Sequence, residues 1–129
     1  LLVEDNELNA EIAKTVLEDD GALVTRVEDG QQAVELFKEK PTGTFDAILM
    51  DLMMPVMDGY TATKKIRSLE RLDAKTIPII AMTANAFQED AEKCIAVGMN
   101  AHLAKPLDIE KVMITICHLV KKKDSITIY

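Results

Sequence analysis

Apolar residues along the chain follow two alternating spacings. Short runs rich in strand formers recur at Leu1–Val3, Leu23–Val27, Phe45–Met50, Ile77–Met82 and Ala101–Ala104. Between them lie longer stretches where apolar residues return every three or four positions, the period of a helix. Ile12, Ala13, Val16 and Leu17 form one such stripe, and Ala33, Val34, Leu36 and Phe37 a second. Ala62, Ile66 and Leu69 form a third, and Ala91, Cys94, Ile95 and Val97 a fourth. Ile109, Val112, Met113, Ile116, Leu119 and Val120 complete the series. The pattern predicts a strand followed by a helix, five times over. Ala47-Ile48-Leu49-Met50 and Ile79-Ile80-Ala81-Met82 are apolar without alternation. Strands of that kind are buried on both faces, so the prediction is a doubly wound α/β fold around a five-stranded parallel sheet. Crossovers in such a sheet are right-handed.

A length of 129 residues suits one domain with a sizeable core. Its expected extent is residues 1–123, with 124–129 as a tail after the lysine run Lys121–Lys123. The abrupt opening, Leu1-Leu2-Val3, reads as a first strand truncated at its amino end. A net charge of −7 argues against nucleic acid and against direct contact with anionic membranes. No apolar run approaches the roughly 20 residues that cross a bilayer. Two cysteines, Cys94 and Cys117, are too few for a disulfide framework or a zinc site, which fits a reducing, cytoplasmic setting.

In an open parallel sheet, ligands bind beyond the carboxyl ends of the strands. Glu4, Asp5 and Asn6 follow the first predicted strand, Asp51 the third, Thr83 and Ala84 the fourth, and Lys105 and Pro106 the fifth. Like charges about 4 Å apart cost roughly 4 kcal/mol at an effective dielectric near 20. Lys105 and a divalent cation would offset that repulsion. All-oxygen donors favour a hard ion such as Mg²⁺, which also recruits phosphate oxygens. Helix capping accounts for Asp5 or Asn6 alone, but not for Asp51, Thr83 and Lys105 on the same edge. Asp58-Gly59 reads as the cap and tight turn before the third helix, with Pro55 shaping the loop. Met50, Met53, Met54 and Met57 fall close together, and their expected role is packing rather than soft-metal binding.

Glu4-Asp5-Asn6, Met50-Asp51-Leu52-Met53-Met54-Pro55-Val56-Met57-Asp58-Gly59, Met82-Thr83-Ala84-Asn85-Ala86 and Lys105-Pro106 together resemble the receiver domain of two-component response regulators. The resemblance spans essentially the whole chain and is strongest to receivers fused to hybrid sensor histidine kinases. It implies a flavodoxin-like strand order, 2-1-3-4-5. It implies that Asp51 accepts a phosphoryl group from a phosphohistidine, with Thr83 and Lys105 in the same catalytic set. Glu4, Asp5, Asp51 and the main-chain carbonyl of Met53 would bind Mg²⁺. Glu4 departs from the usual aspartate by one methylene, which leaves direct or water-mediated binding open. Thr83 would act as the switch hydroxyl, with His102 where the family usually has an aromatic residue. The implied partner is a histidine kinase or a histidine-containing phosphotransfer domain, meeting Leu8, Ala84, Pro106 and Leu107. The face made by the fourth and fifth predicted helices and the fifth strand offers a surface for weak homodimerisation. Such a domain catalyses its own phosphotransfer and dephosphorylation without being a turnover enzyme, and its parent chain would be a cytoplasmic or membrane-bound kinase.

Three other readings compete. A haloacid-dehalogenase-like phosphatase shares the Asp, Thr, Lys and Mg²⁺, but needs an acid two residues past the nucleophile, where Met53 stands. A flavodoxin-like electron carrier needs a hydroxyl- and glycine-rich first loop, and Glu4-Asp5-Asn6 would repel its phosphate. A degenerate receiver would act only as an interaction module, without phosphorylation.

Overall fold

The computed structural model describes residues 1–54, 56–83, 88–104 and 108–127, with 88–91, 109 and 120–127 described by their backbone. Its elements run β1 (Leu2–Val3), α1 (Glu7–Asp19), β2 (Arg26–Val27), α2 (Gly30–Glu39), β3 (Ile48–Asp51), α3 (Gly59–Arg67), α4 (Leu72–Thr76), β4 (Ile79–Thr83), α5 (Gln88–Val97), β5 (Ala101–Ala104) and α6 (Ile109–Thr127). All strands pair in parallel in the order β2-β1-β3-β4-β5. This is the flavodoxin-like α/β fold, with the strand order that the resemblance implied.

Alternate residues of each inner strand face opposite layers. Val3, Ile48, Met50, Ile79 and Ala81 point into one core with Ala33, Phe37, Ala62, Ile66 and Cys94 from α2, α3 and α5. Leu2, Leu49, Ile80 and Met82 point into the other with Ala10 and Leu17 of α1 and Val112 of α6. The unbroken apolar runs therefore do mark strands covered on both sides.

Several local expectations differ from the structure. Ile12 is exposed, although the period places it on the buried stripe; α1 buries Leu17 of that stripe, with Ala10 in place of Ile12. Ile95 is likewise exposed on α5. The second strand is confined to Arg26–Val27 because its neighbour β1 pairs with it over those residues alone; Leu23 is 98% exposed. The third strand starts at Ile48, and Phe45 stacks on Phe37 with ring centroids 6.3 Å apart. A short helix, α4, precedes β4 in addition to the five predicted helices. α6 continues past Lys123 to Thr127. Pro55 lies outside the described residues.

A polar knot secures the layer of α2, α3 and α4. Arg71 makes a two-pronged pair with Asp73 at 3.0 and 2.9 Å, and donates to the carbonyls of Phe37 and Lys40 at the end of α2. Its guanidinium also lies 5.0 Å from the centre of the Phe37 ring. Asp73 accepts from the Gly43 N–H, tying down the loop after α2. Burial alone would raise the Asp73 carboxyl, but the Arg71 hydrogen bonds and charge, with the Gly43 and Ala74 N–H groups, outweigh it and hold the group below its ordinary value. Because the folded-state value is the lower one, Asp73 stabilises the fold above the ordinary carboxylate range, and that contribution is lost as pH falls from that range through the lower folded-state value. In urea titrations, Arg71→Gln should cost about 1.5–3 kcal/mol at neutral pH and flatten the acid limb of the stability profile.

Candidate functional site

The carboxyl ends of β1, β3 and β4 deliver their side chains to one edge of the sheet. Val3 pairs with Met50, and Asp51 pairs with Met82, so Glu4, Asp51 and Thr83 follow at adjacent strand ends. One carboxylate oxygen from each of Glu4, Asp5 and Asp51 lies within 4.8 Å of the other two. Glu4 and Asp51 are almost wholly buried, and Asp5 is exposed. The trio thus opens to solvent on the Asp5 side. Thr83 is also buried, at the end of β4.

Neighbouring groups hold this repulsive cluster in place. Arg26, at the edge of the sheet, donates to the Glu4 carbonyl at 3.1 and 2.9 Å and to the Asp5 carbonyl at 3.5 Å. It fixes the main chain and brings a positive charge close to the acids. Asn9 Nδ2 reaches Glu4 Oε1 at 3.5 Å from the first turn of α1. Asn6 caps that helix, accepting from the Asn9 N–H at 3.0 Å, which leaves the Asp5 side chain out of the capping role. The Met53 N–H donates to Asp51 Oδ1 at 3.3 Å and orients the carboxylate.

The loop after β3 is built around two backbone constraints. Gly59 opens α3 directly behind Asp51, and a Cβ there would collide with the Asp51 carbonyl oxygen and meet Met50 Cγ at 3.0 Å. The glycine expected for a tight turn is therefore needed for close approach to Asp51. Asp58 caps α3 as expected, accepting from the Thr61 N–H at 2.8 Å. Val56 adopts φ 67°, a left-handed conformation that strains a β-branched residue. Its side chain is 78% exposed, so no packing compensates that strain.

Of the other residues singled out, Leu8 is 65% exposed beside the acids, and Ile12 lies exposed one turn further along α1. The Met53 side chain is exposed, while its backbone faces Asp51. His102 is half-buried on β5, paired with Ala81 rather than Thr83. Ala84, Asn85, Lys105, Pro106 and Leu107 lie outside the described residues. Arg26, Gly59's role against Asp51 and the Val56 conformation were missed. A lone arginine at the end of the second predicted strand was the available signal for Arg26.

Known proteins resemble the chain throughout. The response regulator receiver domain family matches residues 1–116. Histidine kinase 1 of Arabidopsis thaliana is 40% identical over 94% of this chain and 12% of its own length. Hybrid signal transduction histidine kinase M of Dictyostelium discoideum is 43% identical over 96% of this chain and 5% of its own. The chain thus spans between 5% and 14% of the curated relatives' lengths. The receiver domain of sensor histidine kinase PA1611 from Pseudomonas aeruginosa superposes with a TM-score of 0.83 at 42% identity, covering 93% of this chain and 94% of that one; it was solved with a magnesium ion in its active-site cleft. The receiver domain of the Saccharomyces cerevisiae response regulator Ssk1, solved with the histidine phosphotransfer protein Ypd1, has a TM-score of 0.83 at 31% identity, covering 95% of this chain and 88% of that one.

Substitutions in the loop separate its two constraints. Gly59→Ala should lower unfolding free energy by about 1–3 kcal/mol through overpacking against Asp51. Val56→Asn, better suited to the left-handed region, should raise it by about 1 kcal/mol. Urea unfolding of both variants checks the opposite signs.

Proposed function

Since the chain belongs to the response regulator receiver domain family, and so serves a two-component phosphorelay, we propose that Asp51 is its phosphoryl acceptor and that the donor is a phosphohistidine on a histidine kinase or phosphotransfer domain. The convergence of the Glu4, Asp5 and Asp51 carboxylates at one strand edge supports this reading most directly. An Asp51 oxygen attacks phosphorus, the new O–P bond forms, and the electron pair of the breaking P–N bond returns to the imidazole. A carboxylate is a modest nucleophile, so positioning and charge neutralisation carry the rate. The Met53 N–H orients the Asp51 carboxylate, and the close approach of Gly59 fixes the Asp51 main chain.

The all-oxygen donor set suits Mg²⁺, with Glu4, Asp5, Asp51 and the Met53 carbonyl as the residues that would hold it. When bound, that ion supplies positive charge to the phosphoryl oxygens. Lys105 adds a second positive charge, and Thr83 donates its hydroxyl to a phosphoryl oxygen, drawing the following loop toward the site. In this reading His102 moves with that loop as the switch partner. In this reading Leu8, Ala84, Pro106 and Leu107 contact the donor protein, and the exposed Ile12 extends the Leu8 patch along α1. A weak homodimer would use α5, β5 and α6. Among the described residues, no helix is long and apolar enough to cross a membrane. We place the domain in the cytoplasm, as part of a hybrid kinase.

Incubation of the purified domain with a small phosphodonor and Mg²⁺ should add one phosphoryl mass, absent without the ion and absent in Asp51→Asn. An Asp51→Asn protein that still gains the mass would refute the assignment. An unmodified wild-type protein would favour the interaction module. Leu8→Ala should slow transfer from a phosphorylated partner protein several-fold while leaving small-donor phosphorylation unchanged. Thr83→Ala should still accept the phosphoryl group but lose the accompanying chemical-shift changes in the neighbouring loop.

A further inference from the structure

The opposite edge of the sheet, at the amino ends of β4 and β5, carries a second polar site. A cleft of about 400 Å³ opens there, lined by the end of α3, by α4 and by the end of α5. Arg67, Lys75 and Asn100 form its polar wall, and Ile95 and Val97 an apolar one. The Arg67 guanidinium lies across neutral acceptors: the Gly98 carbonyl at 3.0 and 2.7 Å, the Ala74 carbonyl at 3.1 Å and Asn100 Oδ1 at 3.0 Å. Gly98, at φ 105°, leaves room for the arginine stem; a Cβ would meet Arg67 Cγ at 3.1 Å. Lys75 donates to the Arg67 carbonyl at 3.2 Å.

Neither cation has a carboxylate within 4.0 Å among the described residues. Arg71, the neighbouring half-buried arginine, has Asp73 for that purpose. Burial lowers the Arg67 guanidinium below the usual arginine range, and among the described residues no carboxylate pairs with it. Donor capacity remains unused. A guanidinium has five N–H donors and an ammonium three, more than these bonds consume. The Asn100 oxygen is occupied by Arg67 and by the Ile79 N–H, which leaves its amide NH₂ available as a further donor.

We propose that this cleft binds an oxyanion, a carboxylate or a phosphate, between Arg67 and Lys75. Ile95, 72% exposed on the adjoining wall, adds a contact for an apolar group attached to that anion. The anion reaches the cleft either free in solution or as an acidic side chain of a protein segment, and the two sources are separable.

The test is an amide chemical-shift titration of the domain, first with inorganic phosphate and then with a blocked aspartyl-leucine dipeptide. Shifts at Lys75, Gly98 and Asn100 should saturate. Lys75→Gln should weaken binding by about tenfold, the worth of a charge-assisted contact, while Lys64→Gln on the exposed face of α3 leaves it unchanged. Arg67→Lys, which keeps the charge but loses the fork, should retain saturable though weaker binding. Tighter binding of the dipeptide identifies a protein segment as the source, and tighter binding of phosphate a free ion. Shifts that never saturate, or equal losses in Lys64→Gln and Lys75→Gln, would overturn the proposal. Circular dichroism of each variant separates lost binding from lost fold.

Discussion

Mutual repulsion among Glu4, Asp5 and Asp51 is the constraint that the functional edge of the fold answers to. Parallel pairing of β1 with β3 places the carboxylates side by side, and nothing in the sheet alone would keep them there. The Arg26 guanidinium on the Glu4 and Asp5 carbonyls, the Asn9 amide and the Met53 N–H each restrain one part of the cluster. Gly59 completes the restraint from behind by letting α3 begin in contact with the Asp51 backbone. A carboxylate trio held this firmly loses little freedom when a compensating charge arrives, which is the advantage of a preorganised site.

The same sheet divides the chain's apolar residues between two layers. Ile48 and Met50 pack with α2 and α3, while Leu49 packs with α1 and α6. A slip of one residue in β3 would exchange the layers and turn the side chain of Asp51 to the other face. The register that builds both cores is thus the one that aims Asp51 at the carboxylate cluster.

Much of this was legible in the residues. Runs such as Ile79–Met82 announce a strand covered on both faces, and acids after the first and third predicted strands announce the edge where they converge. What escaped depends on distances across the fold. Ile12 has the right period for burial, but α1 turns Ala10 and Leu17 inward, leaving Ile12 outside. Gly59 looked like a turn glycine because a close approach to Asp51 has no local signature. Arg26 and Arg71 reach main-chain carbonyls far along the chain, and a carbonyl carries no residue identity that a pattern could reveal. The extra helix Leu72–Thr76 is too short for a period to declare itself.

The carboxylate trio and the Arg67–Lys75 pair lie at opposite ends of the strands, so local charges of opposite sign mark the two ends of the sheet. A phosphoryl group is an anion, and carboxylates not yet offset by a cation repel it at long range. On the role proposed for Asp51, encounter there would be secured at short range, by exposed apolar surface such as Leu8 and Ile12, once the field is screened within about 8 Å at physiological ionic strength. Added salt, which weakens most charge-steered complexes, would in this geometry ease the approach to the acidic end.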